Sequence, residues 1–493
     1  MAKKTKGKSS TGEQTKHGFV STPVKTADVP DYVVVELRYE SPVAFGASSF
    51  AAPPAAARES DSLNTVLAKY DIKAMRSHFG LKPPEVRARV EVAALLPPEP
   101  DPKRFARKGM DTQFVQSGFV QVLPKSSRDA AKIARELNQK KAVWKAYVAP
   151  RPVPAMAAGA AAGSRNFEPA QGYMHSPPNG IGAVETWGLA GAKGKGITIC
   201  DIEGNWNRSH EDLPSGIQLI GGTVINDLGW RNHGTAVLGE MVSVPSTKGT
   251  AGISHQARAV VQSAIVGGVF NAAGAIANAT SVLKAGDVIL IELQATGPNN
   301  KYVAMQFWGD IFSAIVAATA KGITVVEAAG NGDENFDLAV FNGTGLQKDS
   351  GAIVVGAGVP PTNYFDFDVA PGYGPIGVPR SRIWFSNYGK IVNVQAWGWH
   401  VCTLGYGDAQ GGASENVWYT HRFSGTSSAS PIVTGAVACM QGRAKAKNGT
   451  PLAPGKVRQI LMKTGTPQQQ GPGVPLTQNI GSLPNLPLAM KQI

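Results

Sequence analysis

Apolar and polar positions fall into two regimes along the chain. In the first 150 residues the apolar runs are short and separated by polar stretches. Asp-Tyr-Val-Val-Val-Glu-Leu-Arg at 31–38 is β-branched and predicts a strand, and 61–79 predicts a helix. The run at 86–96 opens with alternation (Val-Arg-Ala-Arg-Val-Glu-Val) and predicts a second strand, and 114–123 predicts a third. Ser126 and Ser127 are candidate caps for a helix over 130–139, which places Ile133, Ala134 and Leu137 on one side. A last strand is expected over 141–148. The order strand-helix-strand-strand-helix-strand is ferredoxin-like.

Farther on, the apolar runs are continuous, as in strands buried on both faces of a parallel sheet. Gly-Ile-Thr-Ile-Cys-Asp at 196–201 and Ile-Thr-Val-Val-Glu-Ala-Ala-Gly-Asn at 323–331 both run into polar side chains, Asp201 and Asn331. In open α/β sheets sites form at such carboxyl ends. His233 opens an apolar, small-residue stretch that predicts a helix. Ser-Gly-Thr-Ser-Ser-Ala-Ser-Pro at 424–431 delivers Ser427 by a glycine turn to a helix expected over 429–440, with Pro431 in its first turn. A hydroxyl there faces free N–H groups and the positive end of the helix dipole, which suits a nucleophile whose reaction creates an oxyanion. Each residue also has a plain structural reading. Ser427 can be an N-cap, His233 a packed histidine, Asp201 a strand terminator and Asn331 a turn residue.

The order Asp201, His233, Asn331, Ser427 resembles that of the subtilisin-like serine peptidases, for which subtilisin is itself the standard worked case. The resemblance covers about two-thirds of the chain, roughly 175–490. Trp187-Gly188-Leu189, Ser209-His210-Glu211-Asp212-Leu213, Gly252-Ile253 to Ala257 and Ile353-Val354-Val355-Gly356-Ala357 are similar to further family segments. It implies an α/β, three-layer catalytic domain with a mainly parallel sheet, preceded by a ferredoxin-like α+β prodomain. It also implies roles: Ser427 attacks the peptide carbonyl, His233 is the base, Asp201 orients it, and Asn331 and the Ser427 N–H hold the oxyanion. Glu292, Leu293, Gln294, Ala328, Ala329 and Gly330 match the substrate-binding segments. The sequence departs from the family at Ile202-Glu203-Gly204, where Glu203 adds a carboxylate near the triad, and at Glu292-Leu293-Gln294-Ala295, where Gln294 is expected to crowd the first specificity pocket. Asp333, Glu334 and Asp337 beyond Asn331 suggest preference for basic or small residues before the cut, or else solvated charges or calcium ligands.

The expected organisation is a basic tail over 1–30, an inhibitor-like domain over 31–150, a Pro/Ala-rich linker over 151–175 and the catalytic domain over 176–493. Self-cleavage is expected within 148–166. Protein or peptide is the expected substrate, and the N-terminal domain the expected in cis inhibitor. The alternatives are a transpeptidase or macrocyclase on the same fold, and a catalytically silent binding protein. The formal charge is +13, and residues 1–150 carry 25 basic against 15 acidic side chains. Interleaved aromatics and recognisable motifs are missing from the tail, so nucleic acid is not an expected partner. Three cysteines, Cys200, Cys402 and Cys439, form no disulfide framework. No His-Glu-x-x-His or paired-Cys motif points to a metal site, and the chemistry requires no cofactor. Structural calcium is implied only by the resemblance, without an assignable ligand set. A secretory h-region and apolar runs of membrane-spanning length are lacking, so no membrane association is expected. The expected location is cytoplasmic, with non-classical release as the alternative.

Overall fold

The computed structural model describes residues 14–15, 18–19, 24–38, 41–81, 112–153, 165–361 and 377–493. The N-terminal part is built from β1 (Val33–Leu37), α1 (Ala57–Leu67), β2 (Ile72–Ser77), β3 (Phe119–Pro124), α2 (Ala130–Leu137) and β4 (Val143–Val148). The four strands pair antiparallel in the order β2-β3-β1-β4, which is ferredoxin-like topology. Ile133, Ala134 and Leu137 of α2 pack with Val33, Val35 and Leu37 of β1, as the apolar spacing predicts. The helix expected over 61–79 is two elements. α1 stops at Leu67, a turn follows, and Ile72–Ser77 pairs with β3. Edge pairing overrides the helical propensity of Lys73, Ala74 and Met75. The strand expected over 86–96 lies outside the described residues.

The larger sheet comprises β5 (Thr198–Glu203), β6 (Gln218–Gly221), β7 (Arg258–Ser263), β8 (Val288–Ile291), β9 (Thr324–Ala328), β10 (Ile353–Gly358) and β11 (Val392–Trp397). It has seven strands in the order β6-β7-β5-β8-β9-β10-β11, all neighbours parallel. The Ile-Thr-Ile-Cys and Ile-Thr-Val-Val runs supply strands buried on both faces because helices cover both sides. α3 (Leu228–Val242) and α6 (Thr426–Asn448) pack on one face with Ile199, Leu290 and Val326. α4 (Ala272–Val282) and α5 (Gly309–Ala320) pack on the other with Cys200, Ile289 and Val325. All three cysteines are buried and free. Among the described residues, no helix is long and apolar enough to cross a membrane.

The two parts share an apolar cluster in which Tyr32, Val34 and Phe119 meet Val269. A buried polar junction accompanies it. Asp310, in the first turn of α5, accepts from Tyr147 Oη at 2.5 Å and pairs with His78 Nε2 at 2.6 Å. Asn271, the N-cap of α4, donates to the His78 carbonyl at 2.9 Å, and Tyr32 donates to the Phe270 carbonyl at 2.7 Å. Ahead of β1, Val24 bridges to Ile225 in parallel and exchanges backbone hydrogen bonds with Val224 and Asn226.

Candidate active site

α3 begins earlier than the His233 signal suggests. Asp227 caps it by accepting from the Trp230 N–H at 2.9 Å, so His233 lies in its second turn, fully buried. The His233 ring meets Phe423 edge-on, with centroids 5.3 Å apart. Its Nδ1 is hydrogen-bonded to Glu203 Oε1, and its Nε2 has no hydrogen-bond partner.

The carboxylate that orients the imidazole is therefore Glu203, where Asp201 is expected. The two side chains lie two residues apart on β5 and share a face of the sheet, with Glu203 one pleat nearer the carboxyl end. Asp201 is occupied elsewhere: Trp206 Nε1 donates to its Oδ2 at 2.7 Å, and Oδ1 is unpartnered. Burial and the neighbouring Glu203 push the Asp201 carboxyl well above its ordinary range, against the Trp206 hydrogen bond. Burial also raises Glu203, opposed by His233. Glu203 is fully buried and engaged, so it does not face a substrate side chain. Directly after Glu203 the backbone passes close to Trp230, where a Cβ on Gly204 would lie 2.5 Å from the ring.

α6 starts at Thr426, three residues before the expected position, so Ser427 is its second residue. Gly425 makes the turn at φ 102°, a conformation that favours glycine. Pro431 lies inside the helix rather than in its first turn. Without an N–H it leaves the Ser427 carbonyl without its helical partner four residues on.

Asn331 is fixed at both its backbone and its side-chain oxygen. Its Oδ1 accepts from the Thr426 N–H at 2.8 Å and from Thr426 Oγ1 at 3.0 Å, and Thr426 Oγ1 accepts from the Gly330 N–H at 3.1 Å. The Asn331 N–H donates to Gln294 Oε1 at 2.8 Å. With the oxygen end anchored, Nδ2 is presented beside Gly425, where a Cβ would approach it to 3.0 Å.

The other expected contact residues divide. Leu293, Ala328 and Ala329 are buried in the core. Gln294 is turned beneath Asn331 instead of projecting into a specificity pocket. Glu292 is buried and bonded to Ser430 Oγ. Asp333 is ion-paired with Arg382 at 2.8 Å, and Glu334 accepts from Asn299 Nδ2 at 2.7 Å. Among the described residues no cluster of three or more His, Cys, Asp or Glu is placed to hold a metal ion. His210 is structural: its Nε2 bonds to the Trp418 carbonyl at 2.9 Å, and burial pushes its pKa down to about 4.

A parallel α/β sheet covered on both faces, with polar side chains gathered at the strands' carboxyl ends, is the catalytic fold of the subtilisin-like proteins. The family model described as "Subtilase family" (peptidase S8) matches residues 194–481, more than half of the chain, and the chain belongs to that family. It is accordingly a serine peptidase, a hydrolase whose substrates are proteins or peptides. Among solved structures it is similar to a protease from Pseudoalteromonas arctica PAMC 21717, with 17% identity, 67% of this chain and 99% of that chain covered, and a TM-score of 0.45. It is also similar to the prenylagaramide maturation protease PagA, with 19% identity, 63% of this chain and 97% of that chain covered, and a TM-score of 0.42. No curated protein sequence matches it.

Proposed function

We propose that the chain is a serine endopeptidase made as a self-inhibited zymogen, with Ser427 as nucleophile, His233 as base and Glu203 as the residue that orients the base. The observation that carries this reading is the buried Glu203–His233 hydrogen bond. It fixes the imidazole through Nδ1 and leaves Nε2 unpartnered. A serine hydroxyl needs such a base to attack a carbonyl at neutral pH. His233 would take the Ser427 proton and return it to the leaving amine. Glu203 would hold the tautomer and stabilise the imidazolium, the role expected of Asp201. Asn331 Nδ2 and the Ser427 N–H would stabilise the tetrahedral oxyanion, a single donor contributing about 2.7–4 kcal/mol. Time-dependent labelling of Ser427 by a fluorophosphonate, absent in Ser427→Ala, tests the assignment. A wild-type protein that neither labels nor cleaves a peptide library would overturn it.

The inhibitory role of the N-terminal part rests on the path of the chain after β4. The Val153 N–H donates to the Gln294 carbonyl at 3.4 Å, so the linker enters along the segment where a substrate backbone would pair by strand addition. Residues 154–164, which carry most of the span expected to be cut, lie outside the described residues. The junction at Asp310 and the Val24 bridge support retention of the N-terminal part after cleavage. Intact masses of wild type and Ser427→Ala after prolonged incubation test autoprocessing; identical masses would exclude it.

A further inference from the structure

Glu292 stands immediately after β8, between the strand that carries Glu203 and the helix that carries Ser427. It is only 1% exposed. Ser430 Oγ is hydrogen-bonded to its Oε1, its Oε2 has no hydrogen-bond partner, and the Ser427 hydroxyl is close enough to act on this carboxyl. The groups facing it are almost all acidic. Glu203 and Asp201 act on it from β5, and from α3 it acts on Glu240, neither of whose carboxyl oxygens has a partner. His233 is engaged by Glu203, and α6 supplies only the two hydroxyls. Among these groups no cation faces Glu292, so a buried carboxyl there is stable only in its neutral form at ordinary pH.

Building on the assignment of Ser427 and His233 above, we propose that Glu292 is a positioning residue for the nucleophile, whose protonation decides whether the Ser427 hydroxyl is free to turn to His233. The neutral carboxyl has an O–H to donate to Ser427 Oγ. That leaves the serine's own proton for the unpartnered Nε2 of His233. Once ionised, the carboxyl can only accept. It then binds the Ser427 proton itself through a charge-assisted hydrogen bond and holds the hydroxyl away from its base. No bond to carbon changes in this step; one proton leaves Glu292 for solvent and one hydrogen bond reverses direction. The enzyme therefore carries a limit on its activity at high pH that is separate from the ionisation of His233.

The test is the pH profile of fluorophosphonate labelling of Ser427 in the full chain, run beside peptide hydrolysis. Wild type should rise with pH and then decline by tenfold or more at alkaline pH. Glu292→Gln keeps the hydrogen-bonding shape without the ionisation and should lose the decline. Ser430→Ala, conservative within a helix, removes the hydrogen bond that favours the charged form and should move the decline to higher pH. If Glu292→Gln fails to fold, the direction of the Ser430→Ala shift decides. Labelling with profiles superimposable on wild type in the variants that fold would overturn the role of Glu292 while leaving Ser427 as nucleophile. An unlabelled wild type would instead overturn the nucleophile assignment on which this inference rests.

Discussion

Glu203 and Asp201 project from the same face of one strand, yet only Glu203 is bonded to His233, while Asp201 is held by the indole of Trp206. Their substitutions should therefore separate sharply. Glu203→Gln presents an amide to Nδ1 and loses the charge that stabilises the imidazolium, so kcat/KM should fall by roughly 10³–10⁴-fold. Asp201→Asn keeps an acceptor for Trp206 and should cost about tenfold or less. Steady-state kinetics on a cleaved peptide checks both, and comparable losses would return the orienting role to Asp201.

The oxyanion assignment predicts effects at two residues. Asn331→Ala should lower kcat by roughly 10²–10³-fold with little change in KM, because the lost hydrogen bond is made in the transition state. Thr426→Val removes the hydroxyl that anchors Asn331 Oδ1 at 3.0 Å and leaves the backbone donor at 2.8 Å in place. It should cost about 1 kcal/mol, roughly fivefold in kcat. A larger loss at Thr426 than at Asn331 would contradict the arrangement.

How much of this was legible in the sequence depends on what fixes each residue. Ser427 and Asn331 sit on short-range signals, a glycine turn into a helix and a strand running into Gly330-Asn331; the strand is where its signal puts it, and the helix starts three residues early, at Thr426. The His233 partner was misread because the alternation of a strand gives residues 201 and 203 the same face. Which carboxylate reaches the imidazole is settled by Trp206, whose position is a tertiary fact. Glu292 and Gln294 read as cleft residues from their match to the family's substrate-binding segment. Their side chains turn inward because Ser430 and Asn331 offer them partners there. In the N-terminal part the strand at 72–77 was hidden within a helical pattern, since only pairing with β3 makes it a strand.

The junction between the two parts should resist mild acid. Burial would raise the Asp310 carboxyl, but His78 and the Tyr147 hydroxyl outweigh it and hold it below its ordinary value. A carboxyl depressed in the folded state stabilises fully above the ordinary carboxylate range and loses that contribution only as pH falls through the lower folded value. Asp310→Asn should thus lower the melting temperature at pH 7, with the gap to wild type closing in strong acid. His78→Ala leaves the buried Asp310 carboxylate without that partner and should destabilise by about 3–5 kcal/mol. After linker cleavage it should also let the N-terminal fragment separate on size exclusion under conditions where the wild-type fragments co-elute.

Glu327 gives a pH dependence of the opposite sign. It lies on β9, fully buried, with the Gln306 N–H at 3.3 Å from one carboxyl oxygen and no partner for the other. Burial pushes its pKa up to about 8. The folded chain therefore holds a proton that the unfolded chain releases near the ordinary glutamate value of about 4.3. Between these values the native state binds more protons than the unfolded one, so stability falls as pH rises. Glu327→Gln retains an acceptor for Gln306 and removes the titration. Its melting temperature should match wild type near pH 4 and exceed it increasingly up to about pH 8, by the equivalent of a few kcal/mol at most. Melting curves across that range check the sign, and a constant offset between the two proteins would show that Glu327 does not titrate in the folded state.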